Sequence, residues 1–392
     1  MESFYRTHAY LVEHTNAPVR RDLMDEIDWS DRLIGIKGTR GVGKTTFLLQ
    51  YAKEKFGTDR SCLFINMNNF YFSGHSIVDF ANEFQKRGGK VLLIDQVFKH
   101  PDWSKELRMC YDRFPNLKIV FTGSSVMRLK EENLELRDIV KSYNLRGFSF
   151  REFLNLQTGM KFRAYSLEEI LSNHEQIAKG ILSKVRPLDF FQDYLHHGFY
   201  PFFLEKRNFS ENLLKTMNMM VEVDILLIKQ IELKYLSKIK KLLYLLAVDG
   251  PKAPNVSQLA TDIQTSRATV MNYIKYLADA RLINLVYPKG EEFPKKPSKI
   301  MMHNSNLMYS IYPVKVEEQD VLDTFFVNTL WKDHKVHKGD KNVSFMVDEV
   351  MPFKICAEGA KIKNNPDVTY ALQKAEIGRG NQIPLWMFGF LY

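Results

Sequence analysis

The residues best suited to chemistry stand together in Gly38-Thr39-Arg40-Gly41-Val42-Gly43-Lys44-Thr45, the pattern G-x-x-x-x-G-K-T. Glycines at this spacing let successive backbone N–H groups turn inward around phosphate oxygens. Thr39, Arg40 and Val42 fill the loop between them. Lys44 is placed to reach β- and γ-phosphates, and the Thr45 hydroxyl to bind Mg²⁺. Thr46 begins a helix whose N-terminus adds partial positive charge. A second cue is Val91-Leu92-Leu93-Ile94-Asp95, four apolar residues ending in an acid that can support the same Mg²⁺. ATP with Mg²⁺ is the ligand these residues predict.

Elements of alternating type must hold these groups. Apolar runs at Leu33–Ile36, Ser61–Met67, Lys90–Asp95 and Leu117–Phe121 read as strands buried on both faces. The segments between them, such as Ser76–Arg87 and Trp103–Phe114, carry helical spacing. The expectation is a parallel sheet wrapped by helices. The fourth run ends in Thr122-Gly123-Ser124-Ser125. A small polar residue there, between the phosphate loop and the Asp95 strand, can sense a γ-phosphate. Thr122 is the first choice and Ser124 the second; a plain polar turn is the alternative. Gln96 follows Asp95, where ATPases of this layout usually carry a glutamate that polarises the attacking water. An amide can hydrogen-bond water but cannot take its proton. Tight ATP binding with slow hydrolysis is expected.

The loop GTRGVGKT, the segment LLIDQVFKHPDWSKELRMCYD, then IVFTGSS and LRGFSFREFL resemble the AAA-type ATPases of archaea and bacteria near the signalling (STAND) branch. The likeness is strong over roughly 30–160. It implies ATPase activity and homo-oligomers. It also implies an arginine that reaches the γ-phosphate, for which Arg137 aligns best; an exposed structural arginine is the alternative. Residues 156–235 resemble the helical lid of such proteins. Within them His197-Gly198-Phe199-Tyr200-Pro201 resembles the G-G-Y-P element, which implies that Pro201 lies against the base and ribose. A rigid aromatic turn is the other reading. Ser149 and Glu152 have the spacing of a helix N-cap pair.

Residues 236–290 have the helix-turn-helix arrangement of a winged helix. Arg267, Thr269, Asn272 and Lys275 fall away from its apolar face, as does Tyr273, and could meet double-stranded DNA. Between Lys234 and Lys299 there are 12 Lys and Arg against five acids, a net of +7 in a chain of net +9. Such a charge favours a polyanion. A winged helix used only as an internal lid or an oligomer contact is the competing reading. Residues 291–392 resemble a restriction-endonuclease-like domain. Ser344 stands where its metal-binding acid would be, and Phe353–Glu358 offers no E-x-K, so no nuclease activity is expected. The apolar ending Ile383–Tyr392 is expected in a core or an interface.

The fold class is thus α/β: a P-loop core over 1–155, a helical lid over 156–235, a winged helix over 236–290 and a nuclease-like α/β domain over 291–392. With 392 residues, 45% hydrophobic and 26% charged, this reads as a globular protein of several domains. No run approaches the roughly 18 apolar residues of a membrane helix. No secretory signal is evident at the N-terminus, and the three separated cysteines suit a reducing, cytoplasmic setting. Three functions fit: an ATP-dependent switch or assembly on DNA, an ATP-sensing DNA-binding regulator, or a scaffold that oligomerises with ATP and meets no nucleic acid.

Overall fold

All four apolar runs form strands in the computed structural model, which describes residues 1–205, 208–362 and 365–392. They are β1 (Leu33–Gly38), β2 (Cys62–Asn66), β3 (Val91–Asp95) and β4 (Lys118–Ser124). A fifth strand, β5 (Lys141–Asn144), escapes the sequence reading because it is polar and has no buried residue. It lies at the sheet edge, where one side needs no apolar cover. The order is β2-β3-β4-β1-β5 and every pairing is parallel. Helices α1 (Glu2–His14), α2 (Leu23–Glu26), α3 (Lys44–Lys55), α4 (Ile77–Lys86) and α5 (Trp103–Arg113) complete this unit. α4 shows why: Ser76 caps it by accepting from the Asp79 N–H, and Ile77, Phe80, Ala81 and Phe84 form one buried stripe. Burying each large side chain of that stripe contributes about 1.5–3 kcal/mol.

The chain divides after Gly147 into two compact units, Met1–Gly147 and Phe148–Tyr392. The second opens with α6 (Phe150–Thr158), capped as the sequence predicts by a reciprocal Ser149–Glu152 box. Next come α7 (Leu167–Leu182), α8 (Leu188–Asp193), a π-helical turn at Tyr194–Gly198, a 3-10 turn at Pro201–Glu205, α9 (Phe209–Met219), a second π turn at Met220–Ile225 and α10 (Leu226–Lys229). The sequence reading sets a separate lid over 156–235. In the fold, Phe150, Phe153, Ile170, Ile181 and Tyr194 instead share one core with Phe325, Phe326, Trp386 and Phe388. These helices are too short and too apolar on one face to stand alone, so they bury that face on the largest apolar surface in their unit.

Residues 236–302 form three helices and a hairpin: α11 (Leu236–Asp249), α12 (Val256–Asp262), α13 (Arg267–Asp279), and β6 (Ile283–Val286) antiparallel to β7 (Lys299–Met302). After α14 (Ser305–Ile311) and α15 (Glu318–Leu330) comes a mixed sheet in the order β12-β11-β10-β9-β8. Its strands are β8 (Val336–Lys338), β9 (Phe345–Val347), β10 (Met351–Cys356), β11 (Thr369–Leu372) and β12 (Gln382–Pro384). The apolar ending is buried as expected, with Trp386 and Phe388 fully covered. All three cysteines are free and buried; burial pushes the Cys62 and Cys110 thiols up to about 12, which leaves them unreactive.

Candidate nucleotide-binding site

The parallel order brings the carboxyl ends of β1, β4, β3 and β2 side by side. They deliver Gly38, Thr122 with Ser124, Asp95 and Asn66 to one edge of the sheet. Ligand sites of open parallel sheets form at this edge, because loops there leave the strands in diverging directions. Gly38 has no room for a side chain: a Cβ would lie 2.4 Å from the Leu145 carbonyl oxygen. Gly41 and Gly43 take φ of 85° and 93°, a turn that β-carbons strain. α3 then starts at Lys44 with no side-chain cap, so its N-terminal N–H groups are not used up by a capping residue.

Lys44 Nζ donates to the Gly38 and Thr39 carbonyls at 2.9 and 2.7 Å, holding the ammonium across the loop. A phosphate would compete with those two oxygens for it. Thr39 and Val42 are buried, Arg40 is half-buried, and Thr45 and Thr46 are exposed at the helix start. Thr45 Oγ1 donates to Asp95 Oδ2 at 2.8 Å. Asp95 is 1% exposed and its two oxygens accept three hydrogen bonds: from Thr45, from Asn66 Nδ2 at 2.8 Å and from Thr122 Oγ1 at 2.5 Å. Three donors of this kind fix the direction of the carboxylate. The hydroxyl of Thr45 and the carboxylate of Asp95 are hard oxygen donors on adjacent positions, so the residues present fit a Mg²⁺ ion.

Gln96 sits in the left-handed region at φ 56°, ψ 48°. Its backbone N–H donates to Thr122 Oγ1 at 2.9 Å. Its side-chain Oε1 is out of contact with solvent and has no hydrogen-bond partner among the described residues. A buried orphan acceptor is costly and marks a place where a donor such as water is accommodated. Thr122 therefore does two jobs, orienting Asp95 and pinning the turn that presents Gln96.

Thus Lys44, Thr45, Asp95, Gln96 and Thr122 converge as the spacing predicts. Asn66 belongs with them and escaped the sequence reading. Its signal was the one that found Thr122: a polar residue closing an apolar run beside Asp95, paired with it in register. Arg137 is not brought to this cluster. It is exposed, and its Nε donates to the Lys130 carbonyl at 3.1 Å. Arg151, another arginine of that stretch, is buried in the second unit on the Tyr392 and Phe162 carbonyls. Pro201 also lies in the second unit, after the π turn. There its neighbours Phe199 and Tyr200 bond Asn306 and Asn304.

The basic segment looks different from its sequence. Among the described residues at least seven of its twelve cations pair with carboxylates: Lys234 with Glu232, Lys240 with Glu222, Lys252 with Asp249, Lys275 with Asp279, Lys289 with Glu349, Lys295 with Glu291 and Lys299 with Asp323. Four of those acids, Glu222, Glu232, Asp323 and Glu349, lie outside 234–299, and one outside cation, Lys229, pairs with Asp279 inside it, so the local net falls from +7 to +4. Lys238 and Lys241 donate to the Gln264 and Asp262 carbonyls. Tyr273, expected to face away from the core, is buried. Thr269 is tied to the cap residue Ser266. Arg267 and Asn272 are exposed on α13.

Residues 30–154 match the family model described as an AAA domain, and residues 188–315 match one described as a domain of unknown function. The uncharacterized protein MJ1637 of Methanocaldococcus jannaschii is 30% identical over 274 residues, 66% of this chain and 57% of that protein. MJ1544 of the same organism is 26% identical over 267 residues, 64% of this chain and 55% of its own length. The chain therefore spans little more than half the length of the relatives it matches. Among solved structures, the Aeropyrum pernix ORC1 protein in complex with DNA gives a TM-score of 0.31 at 10% identity, covering 80% of this chain and 92% of that one. Thermotoga maritima RuvB gives 0.29 at 16% identity, covering 81% and 96%. Superpositions at that level align no individual residues. Residues 30–154 are a P-loop AAA-type domain, on the sequence match and the phosphate-loop geometry together.

Proposed function

We propose that this protein binds ATP with Mg²⁺ at the Gly38–Thr45 loop and works as a nucleotide-dependent switch or oligomeric assembly that hydrolyses ATP slowly. The observation that carries this reading is the Thr45–Asp95–Thr122 chain of hydrogen bonds beside Lys44. Lys44 contributes a positive charge to the β- and γ-phosphates, and Thr45 and Asp95 hold the metal. Mg²⁺, when bound, neutralises charge on the phosphate oxygens. Gln96 orients a water through its free amide oxygen but does not deprotonate it, since an amide has no useful basicity. Without that proton acceptor, attack on the γ-phosphate is slow and the ATP-held state persists. Arg137 enters through the family resemblance. Its exposure suits an arginine offered to the nucleotide of a neighbouring copy. Pro201 enters the same way, as a contact for the base.

The test is calorimetric titration of the full chain with ATP and Mg²⁺, paired with measurement of its mass with and without the nucleotide. Micromolar binding that requires Mg²⁺ and vanishes in Lys44→Ala supports the reading. Absence of binding by the wild-type chain refutes it.

Contact with double-stranded DNA is a second element of the proposal. The winged-helix reading of this segment is supported by the three helices α11–α13 followed by the β6–β7 hairpin, and Arg267 and Asn272 are exposed on α13. The pairing of most other cations makes any such binding weak and dominated by few phosphates. Residues 291–392 enter through the family resemblance as a nuclease-like domain without activity, Ser344, whose Oγ accepts from the Ile355 N–H at 3.1 Å, standing where the metal-binding acid would be.

A further inference from the structure

Arg21 lies outside every motif read from the sequence, yet it is only 7% exposed and reaches the phosphate loop. Nη1 donates to the Val42 carbonyl at 3.3 Å. Nη2 donates to the Arg146 and Gly147 carbonyls at 2.8 and 3.1 Å. One guanidinium thus holds the tip of the loop and the last residues of the first unit. A guanidinium keeps its charge at any working pH and presents its donors in a rigid fork, so it can grip two segments at once.

The grip on Val42 has a consequence for the loop. The Val42–Gly43 peptide is trans, so its C=O and N–H point in opposite directions. With the oxygen on Arg21, the Gly43 N–H is turned away from the guanidinium. Gly43, at φ 93°, has no side chain to resist that orientation. On the other side, Leu145 is fastened to the loop's entry: its N–H donates to the Lys37 carbonyl at 2.8 Å, and its own oxygen fills the place of a Gly38 side chain.

We propose that Arg21 is a positioning residue: it aims the Gly43 N–H into the phosphate cradle and ties occupancy of the loop to the 145–147 segment that leads out of the first unit. The inference rests on the proposed nucleotide site. Phosphate drawing on the Gly43 N–H polarises that peptide, strengthens its carbonyl as an acceptor and tightens Arg21. The same guanidinium then holds Arg146 and Gly147 more firmly.

The experiment uses the full chain and two variants, Arg21→Ala and Arg21→Lys, both checked for native helicity and melting. ATP with Mg²⁺ and AMP are titrated separately, because AMP lacks the phosphates that the loop holds. Arg21→Ala is expected to weaken ATP about tenfold and leave AMP within twofold, with Arg21→Lys between. Hydrogen exchange of peptides spanning 144–149 is expected to slow with ATP in the wild type and not in Arg21→Ala. Unchanged ATP affinity, equal weakening of ATP and AMP, or the same ATP-induced protection in Arg21→Ala overturns the proposal. If the wild-type chain binds no ATP, the proposed function falls. The positioning role is then decided by exchange of the Gly43 amide without ligand: faster in Arg21→Ala supports it, unchanged rejects it.

Discussion

The phosphate loop and the basic segment 236–302 were equally conspicuous in the sequence, and the fold treats them oppositely. The loop's residues stay together and gain partners: Lys44 on Gly38 and Thr39, Thr45 on Asp95, Asp95 on Asn66 and Thr122. The segment's charges are dispersed into ion pairs, several with acids far along the chain. The lesson concerns range. A loop motif fixes its own backbone within eight residues, so its chemistry survives into the structure. A surface charge has no fixed partner until the chain has folded, so a count along the sequence overstates the field.

Breaking the strong side of this contrast should have the largest effect. Lys44→Ala is expected to weaken ATP about a thousandfold, the cost of removing one member of a desolvated charge pair. Calorimetry reads it directly, and a loss under tenfold would mean the loop does not hold the triphosphate. Gln96→Glu restores a proton acceptor in the position where Oε1 lacks a partner. Steady-state phosphate release should rise about a hundredfold. No rise would show that residue 96 does not limit turnover.

The weak side can be sharpened by comparing two pairs of cations. Arg267→Ala with Lys296→Ala removes exposed charges that form no ion pair among the described residues. DNA affinity should fall about tenfold, with the salt slope reduced by about 2. Lys275→Ala with Lys295→Ala removes charges already paired with Asp279 and Glu291, and should change affinity by less than about threefold. Equal effects in fluorescence-polarisation titrations would show that the ion pairs do not mask charge.

The smallest effect concerns the scaffold of the loop. His8 on α1 is buried, its Nδ1 accepting from the Phe64 N–H of β2 at 3.0 Å. Burial holds its pKa below the usual value, with the Gly57 backbone opposing. A lowered folded pKa means the unfolded chain takes up the proton first, so stability is full above about pH 6.5 and falls as pH drops below it. Tm should drop by on the order of 2 °C between pH 7.5 and 5.5 from this group. His8→Asn, which keeps an acceptor and cannot charge, should show a shallower decline. An identical slope in the variant would assign the pH dependence elsewhere.

Much of the site was legible because parallel strands buried on both faces are near-continuous apolar runs, and the polar residue that closes each run marks the ligand edge. Asp95 and Thr122 were readable that way, Gln96 by following Asp95, and Lys44 and Thr45 from the glycine spacing of the loop. β5 was not, since its polar residues lie at an edge. The helices after 155 were read as a lid because helical spacing reports which face is apolar but not which surface covers it. Only the fold showed Phe150 and Tyr194 in the same core as Phe325 and Trp386.

The sequence by itself determined the glycine-rich loop, the acid that closes β3 and the amide that follows it, because these depend on spacing within a strand, a turn and a helix start. Tertiary structure decided the rest. It brought Asn66 to Asp95, set Arg21 against Val42 and Gly147, left Arg137 on the surface and paired the basic segment's lysines. Each of those contacts joins residues whose separation along the chain carries no information about their distance in space.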